Sequence, residues 1–306
     1  MDTAEVRHLS EDEFLNRMID ALQLDDEPIP VTLDTSPIDD LEFDSLQLVQ
    51  IIGELGQLTG NVAQLDWREV TGAYVNFRAL YELYRRTLKA QSLLPSSIPM
   101  PGSSAPRSGT GLPSPSSLAG NLVRLRPLRQ GDLPALYEIA IADEVAWRWR
   151  FAGAIPSFEV FVQGLNSAVL TQLVMSPHQS DEVLGLHIAY KAELRNRYCY
   201  LASVSRPDLI GTGVGFEGSV VFLNHIFSAW DLHKVYIEAT QFNYATYASG
   251  SGTFFQLEGR LREHHYWHDR RWDQYLLAVY RADFFSTKER ETNSSGSEQL
   301  ACQDQA

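Results

Sequence analysis

The chain has 306 residues, 44% of them hydrophobic and 21% charged, which is typical of a globular protein of about two domains and not of a disordered or membrane-like one. Its net charge of −14 is concentrated in residues 1–91, where 7 Lys and Arg face 18 Asp and Glu. Such an acidic segment disfavours a nucleic acid as partner and suits docking onto basic surfaces of other proteins.

The sequence also predicts a cytoplasmic protein without a membrane segment. No stretch reaches the roughly 18 to 20 apolar residues that span a bilayer. The acidic start Met1-Asp2-Thr3-Ala4-Glu5 lacks the basic-then-apolar order of a signal peptide. Cys199 and Cys302 are the only cysteines, so we expect neither a disulfide framework nor a cysteine metal site.

Three main helices are predicted in residues 1–91. The first covers residues 10–24, because Ser10 and Glu13 form a capping box and apolar residues follow at helical spacing. After a loop rich in Pro and Asp, a second helix starts at Ser45, and a third covers residues 77–90. This part of the chain therefore predicts a small helical bundle.

Residues 92–119 are predicted to be a flexible linker. Nine Ser, six Pro and three Gly fill 18 of these 28 positions, and such a composition buries too little apolar surface to fold. A flexible chain of this length spans roughly 30 Å. That reach is sufficient for one small domain to swing over its neighbour.

Residues 120–285 alternate strand and helix signals, and residues 286–306 have the composition of a disordered tail. Strands are predicted at 122–128, 183–190, 198–204, 234–239 and 275–280. One helix is predicted to open at Gly131 and end at Ile141, and another to cover residues 216–230. We therefore predict a two-domain α+β protein. Its N-terminal helical bundle precedes a C-terminal mixed α/β domain with one central twisted sheet.

The segment Leu41-Glu42-Phe43-Asp44-Ser45-Leu46 lies at the start of the second helix. Together with the predicted helices around it, about 80 residues in all, it resembles the acyl carrier protein family. The resemblance implies that Ser45, flanked by Asp44 and Leu46, carries a covalent 4′-phosphopantetheine arm that holds an acyl group as a thioester. It also implies a phosphopantetheinyl transferase as a partner, and an enzyme or acyl-CoA that loads the arm.

Residues 121–285 resemble the GNAT acetyltransferase superfamily, most closely the branch that acts on N-termini of ribosomal proteins. The resemblance rests on the opening Arg124-Leu125-Arg126-Pro127-Leu128 and on Pro207–Glu217, in which Gly211, Gly213 and Gly215 lead into a helix. It implies that the amides of this loop cradle the phosphates of acyl-CoA, which suits a helix N-terminus. Asn243 matches the family's asparagine turn.

Two positions depart from the family pattern. Ile210 stands where an arginine or glutamine is usual, so the loop is expected to hold CoA less well and could accept a carrier-bound arm instead; alternatively, the backbone amides suffice to hold CoA. Gly250 stands where many members have the tyrosine that protonates the thiolate. The resemblance then implies Thr246, three residues after Asn243, in that role, with Tyr247 as a second possibility.

Aminolysis of a thioester needs a base for the amine and a donor for the carbonyl oxygen. The resemblance implies that this donor is a backbone N–H near Val204 and Ser205, where two central strands separate. His265 stands where the family branch has a carboxylate base, and His187 is an alternative. A neutral imidazole suits that task at physiological pH.

The motif Trp147-Arg148-Trp149-Arg150 follows the first helix of this part, where acceptor-binding loops occur in the family. It could form an aromatic, cationic wall for an acidic acceptor or for the carrier, or it could serve packing alone. His264, His265 and His268 with Asp269 have the spacing of a strand and its turn, and we expect no metal there.

Three functions remain open from the sequence. The leading one passes an acyl group from the arm on Ser45 to the amine of a small molecule or of a carrier-bound intermediate in secondary metabolism. In a second, the GNAT-like domain moves an acyl group from CoA onto the carrier, with or without decarboxylation of a malonyl unit. In the third, a degenerate domain without catalytic activity docks the carrier.

Overall fold

A computed structural model of the protein describes residues 8–24, 27, 29–60, 65–92, 118–252 and 254–286. The described residues up to 92 form helices joined by loops, without a strand. The α-helices are α1 (Glu11–Leu22), α2 (Ser45–Leu58), α3 (Trp67–Gly72) and α4 (Phe77–Ser92). The three predicted helices are confirmed, while most of the predicted linker and tail lies in 93–117 and 287–306, outside the described residues.

Local capping explains where the first two helices begin. The Ser10 side chain and Glu13 form the predicted capping box on α1. In α2 the Asp44 carboxylate accepts hydrogen bonds from the amides of Leu46 and Gln47, which places Ser45 as the first residue of the helix. Apolar faces of the helices then share one core, with fully buried members that include Phe14, Met18, Leu48, Ile52, Leu55, Phe77, Leu80 and Tyr84.

The second part of the chain is a mixed sheet flanked by helices. In chain order its elements are β1 (Val123–Pro127), α5 (Leu133–Ile141), α6 (Asp143–Ala146), α7 (Phe158–Leu165), β2 (Val169–Pro177), β3 (Gly185–Glu193), β4 (Tyr198–Ser205), α8 (Val214–Ala229), β5 (Lys234–Thr240), α9 (Gln241–Tyr244), β6 (Gln256–Trp267) and β7 (Arg270–Tyr280). The predicted α/β architecture with one central sheet is confirmed. Strand β2 and helix α7 were not predicted from the sequence.

The seven strands are arranged in the order β1-β2-β3-β4-β5-β7-β6. Neighbours are antiparallel except β4 and β5, which run parallel and pair only from Tyr198 with Lys234 to Leu201 with Ile237. Both strands continue beyond these pairs, to Ser205 and Thr240. An opening therefore forms in the middle of the sheet.

The two faces of the sheet are covered differently. On one face α8 packs against the sheet, and its buried residues belong to a hydrophobic cluster that also contains the core of the helical part. On the other face α5 and α7 cover Val174, Leu186, Ile188 and Val204 with Leu136 and Phe161. The opening between β4 and β5 connects these two sides.

Candidate active site

A cavity of about 630 Å³ lies at the opening between β4 and β5. Its wall combines the end of β4, the loop before α8, the turn after α6, and Ser45 from the helical part. The lining includes Ser45, Arg148, Trp149, Arg150, Tyr190, Lys191, Ser203, Val204, Ser205, Ile210, Gly211, Gly213, Gly215, Ser219, Glu238, Asn243, Thr246, His265 and Gln274. Most residues singled out from the sequence thus share one cavity.

The glycine loop forms the wall beside α8. Gly211 and Gly213 have φ of 79° and 81°, a region that favours glycine. Gly215 lies against β4, because a Cβ at that position would be 2.5 Å from the Ser205 hydroxyl. The Val214 amide, the first of α8, donates to the Thr212 hydroxyl at 3.4 Å, and a helix N-terminus of this kind favours an anion beside it.

Ser45 faces this loop directly. A Cβ on Gly213 would lie 3.1 Å from the Ser45 carbonyl oxygen and 3.3 Å from the Val49 amide nitrogen. The N-terminal ends of α2 and α8 therefore meet at Ser45, whose residue surface is only 8% exposed. The N-terminus of each helix favours a negative charge beside it.

Three further contacts join the helical part to the sheet part. Ser249 donates two hydrogen bonds of 2.9 Å to the Asp44 carboxylate, one from its amide and one from its hydroxyl. Leu46 packs against Gly250, where a Cβ would come within 2.9 Å of Leu46 Cδ2. Gly250, which stands where many GNAT proteins have a tyrosine, is thus in contact with the start of α2.

An ion-pair network also joins the helical part to the sheet part. Glu182 accepts hydrogen bonds from Arg68 of α3, the shorter of them 2.8 Å, and also from Arg206. Arg206 further pairs with Asp208, and both carboxylates raise its pKa, the Asp208 hydrogen bond most strongly. Arg206 is therefore paired with carboxylates, and Ile210 lines the cavity without adding a charge.

Val204 and Ser205 lie where predicted, at the point where β4 has separated from β5. His187 lies behind them rather than in the cavity wall. It is fully buried, its Nδ1 is 2.8 Å from the Ser203 hydroxyl, and burial lowers its pKa to about 3. An imidazole this resistant to protonation is poorly suited to act as a base.

His265 lines the cavity and is half-buried on β6, whereas His264 is exposed and its ring centroid lies 5.3 Å from that of His265. The Nε2 atom of His265 is 2.7 Å from the Gln274 side-chain oxygen. Because a carbonyl oxygen only accepts, Nε2 carries the proton and Nδ1 keeps its lone pair. This tautomer leaves one nitrogen able to accept a proton.

Asn243 and Thr246 belong to the turn after β5. The Asn243 side-chain oxygen accepts a 2.9 Å hydrogen bond from Arg148. The Thr246 hydroxyl donates to the Asn243 backbone carbonyl at 2.7 Å while its residue lines the cavity. Its hydrogen is thus already in use, and the side chain of Tyr247 lies outside the described residues.

The motif Trp147-Arg148-Trp149-Arg150 divides between packing and the cavity. Trp147 stacks on Trp267 with ring centroids 5.2 Å apart and planes 3° from parallel. Arg148, Trp149 and Arg150 line the cavity. Trp147 therefore serves packing, while a role of the three cavity-lining residues toward an acceptor or the carrier stays a prediction.

Several lining residues were not singled out from the sequence, namely Tyr190, Lys191, Ser203, Ser219, Glu238 and Gln274. They come from different strands and helices, and only the sheet order brings them together. The described residues contain no group of three His, Cys, Asp or Glu side chains that could hold a metal ion. None of the helices in this described part is both long and apolar enough to cross a bilayer.

Comparisons with known proteins find likeness among solved structures. A spermidine N-acetyltransferase from Vibrio cholerae, in complex with CoA and spermine, has 19% sequence identity and a TM-score of 0.48, covering 53% of this chain and 98% of that one. A probable acetyltransferase of the GNAT family from Chromobacterium violaceum has 19% identity and a TM-score of 0.46, covering 61% and 99%. No protein-family model and no curated protein matches the chain. At these identities and TM-scores the likeness assigns neither a family nor a substrate.

Proposed function

We propose that the chain is an acyltransferase that carries its own acyl donor. Residues 1–91 are the carrier, residues 120–285 the catalytic domain, and residues 92–119 the tether between them. Ser45 holds the acyl group as a phosphopantetheine thioester, and an amine receives it. The observation that carries this proposal is that Ser45 lines the same cavity as the glycine loop and the separated ends of β4 and β5.

Electrostatics at Ser45 supports an arm attached there. The phosphodiester of such an arm would carry a negative charge at the meeting point of the α2 and α8 N-termini, which stabilise anions. Gly213 allows the two helices to approach this closely. The uncharged Ile210 supports a donor with one phosphodiester over the more highly charged CoA.

The arm would enter the cavity from the α8 side and present its thioester between β4 and β5. The amine nitrogen attacks the thioester carbonyl carbon, the C–N bond forms, and the C–S bond breaks to release the thiolate. A backbone N–H near Val204 or Ser205 would hold the carbonyl oxygen as its charge develops. His265 Nδ1 would take the proton that the amine loses.

Thr246 is the proposed hydrogen-bond donor that stabilises the departing thiolate, and the thiolate finally takes the proton that His265 removed from the amine. Its hydroxyl lines the cavity, although it donates to the Asn243 carbonyl in the structure. During transfer this hydrogen bond would have to give way to one with sulfur. A threonine-to-serine replacement keeps the hydroxyl and a threonine-to-valine replacement removes it, so this pair of variants separates a chemical role from a packing role.

The second candidate reverses the arm's role. The position of Ser45 also suits an arm whose thiol accepts an acyl group from CoA, which would make the domain a loading enzyme. Intact-protein mass spectrometry of the phosphopantetheinylated protein distinguishes the two. A loading enzyme gains acyl mass from acetyl- or malonyl-CoA without any other enzyme, whereas a tethered donor needs its arm loaded first.

The proposal is tested by supplying acyl-CoA and an amine to the Ser45→Ala variant and to the phosphopantetheinylated protein with a pre-loaded arm. We expect product from the pre-loaded protein and a loss of at least tenfold in the variant. Undiminished acylation of the amine by Ser45→Ala would show that the arm is not the donor.

A further inference from the structure

The end of the cavity away from Ser45 contains three cationic side chains, Arg148, Arg150 and Lys191. None of them forms an ion pair with a carboxylate among the described residues. Arg148 donates to the Asn243 side chain, Arg150 to the Gly164 carbonyl, and Lys191 lies over the rings of Tyr190 and Tyr200. These three cations thus contact neutral groups and form no direct ion pair among the described residues.

Some other arginines of the sheet part are held by carboxylates. Arg126 is buried and forms a two-pronged ion pair with Asp132, and Arg206 pairs with two carboxylates. Arg148 is half-buried, and its buried Nε has no hydrogen-bond partner among the described residues, whereas Arg150 and Lys191 are exposed. Desolvation lowers the pKa of the Arg148 guanidinium group. A desolvated cation without an anion is costly. A bound anion would offset that cost.

The position of these cations assigns them to the acceptor rather than to the donor. Trp149 and Tyr190 pack against the cluster of α5 and α7, on the face of the sheet opposite α8. Ser45 and the glycine loop lie on the α8 side. If the acyl arm enters beside α8, as in the proposed function, the acceptor reaches the thioester from the Arg148 and Arg150 side.

One carboxylate shares this end of the cavity. Glu238 lines the wall, and burial together with the nearby Glu238 carboxylate raises the pKa of Tyr190 to about 12. Cations and an anion around one space suit a ligand that itself carries both signs. A purely cationic polyamine would meet three like charges, and a polyphosphate would meet Glu238.

We propose that the acceptor is a small amine that also carries a carboxylate, namely an amino acid. Arg148 and Arg150 hold its carboxylate, and Glu238 holds its ammonium group, which loses one proton to solvent before the neutral amine attacks and a second to His265 during the attack. This assignment rests on the proposed function for its direction of entry. The charges themselves are independent of it.

The test uses matched pairs of acceptors that differ only in the carboxylate: L-alanine and ethylamine, L-serine and ethanolamine, and L-phenylalanine and phenethylamine. Loss of acyl mass from the loaded Ser45 arm reports transfer. Ligand-observed NMR on the phosphopantetheinylated, unloaded protein reports binding without turnover. Each measurement is repeated with Arg148→Gln, Arg150→Gln and the control Arg195→Gln, which removes an exposed arginine of the β3–β4 turn.

We expect at least one amino acid to react and bind better than its matched amine. Each cavity arginine replaced should raise the KM of that amino acid roughly ten- to hundred-fold, the range for hydrogen bonds between charged groups, while the control changes nothing. Binding of amino acids that depends on both arginines, with no transfer to any amine, would keep this inference and refute the proposed function. Equal behaviour of the paired compounds, absence of binding by all amino acids, or competition by CoA alone would overturn it.

Discussion

The Asp44 carboxylate joins the start of α2 to Ser249 in the sheet part. Its Oδ1 accepts hydrogen bonds from the Leu46 amide at 3.0 Å and the Ser249 hydroxyl at 2.9 Å, and its Oδ2 accepts from the Ser249 amide at 2.9 Å. The residue that begins the helix of Ser45 therefore also fixes that helix against the wall of the cavity. The Asp44 carboxylate thus both caps α2 and makes the contact with Ser249.

Replacing Ser249 with alanine should weaken this contact without disturbing the fold. One of the two hydrogen bonds to a charged oxygen is lost, and the amide bond remains. We expect transfer from the loaded arm to slow about five- to tenfold in single-turnover experiments. Unfolding free energy should change by less than about 0.5 kcal/mol, because the site is exposed. Ser251→Ala is the matched control, and equal rates in both variants would contradict the role of the contact.

Gly213 and Gly211 provide a controlled comparison of docking. Both have positive φ of about 80°, so alanine strains both alike, by about 1 kcal/mol. A Cβ at Gly213 would meet backbone atoms of Ser45 and Val49, whereas one at Gly211 would meet no described atom within 4 Å. We expect Gly213→Ala to slow transfer at least tenfold more than Gly211→Ala, measured by acyl loss from Ser45. Equal effects would mean that the close approach does not matter.

Undocking should make Ser45 easier to modify. Ser45 is only 8% exposed in the described arrangement, so a phosphopantetheinyl transferase must reach it when the contact has opened. Glu182→Arg places a third arginine beside Arg68 and Arg206 and should open the contact. We expect modification of Ser45 to become several-fold faster and transfer slower. Glu138→Arg makes the same charge change at an exposed residue of α5 and serves as the control. A slower or unchanged modification rate would argue against an occluded Ser45.

Glu217 should make stability fall as pH rises toward neutrality. Its buried carboxyl group accepts hydrogen bonds from the amides of Asn121 and Leu122, yet burial dominates and raises its pKa to about 7 from 4.5. The folded protein therefore keeps this proton longer than the unfolded chain does. The contribution is fully present below about pH 4.5 and is lost as pH rises to about 7, by at most about 3 kcal/mol.

The Glu217→Gln variant removes this titration, and urea unfolding from pH 4.5 to 8 measures it. We expect the variant to gain stability relative to the wild type as pH rises through this window. His187 acts with the opposite sign, because its pKa of about 3 means that stability is lost as pH falls from about 6.5. The difference between the two proteins cancels that effect. Parallel curves would contradict a buried, proton-retaining Glu217.

Local sequence rules predicted much of the fold and one side of the site. The capping residues Ser10 and Glu13 predict a helix start, and the glycines of Pro207–Glu217 predict a loop that precedes a helix. Strand β2 was missed because Val169–Pro177 lacks clean alternation: its last five residues are all buried. Short apolar runs of this kind do not reveal their element by period.

The far end of the cavity could not be predicted for a different reason. Tyr190, Glu238 and Gln274 are unremarkable in sequence and come together only through the strand order β3-β4-β5-β7. Ser249 likewise gains its role from a partner 205 positions away. Such contacts depend on tertiary structure, which no local pattern encodes.

The central claim is that the arm on Ser45 delivers its acyl group within the same molecule. The most direct measurement follows acyl loss from the loaded arm by intact-protein mass spectrometry, with an excess of amine, over a protein dilution of about a hundredfold. Tethering predicts a first-order rate constant that does not change with protein concentration. A rate constant that falls in proportion to dilution, and that recovers on adding the Ser45→Ala protein, would contradict transfer within one chain.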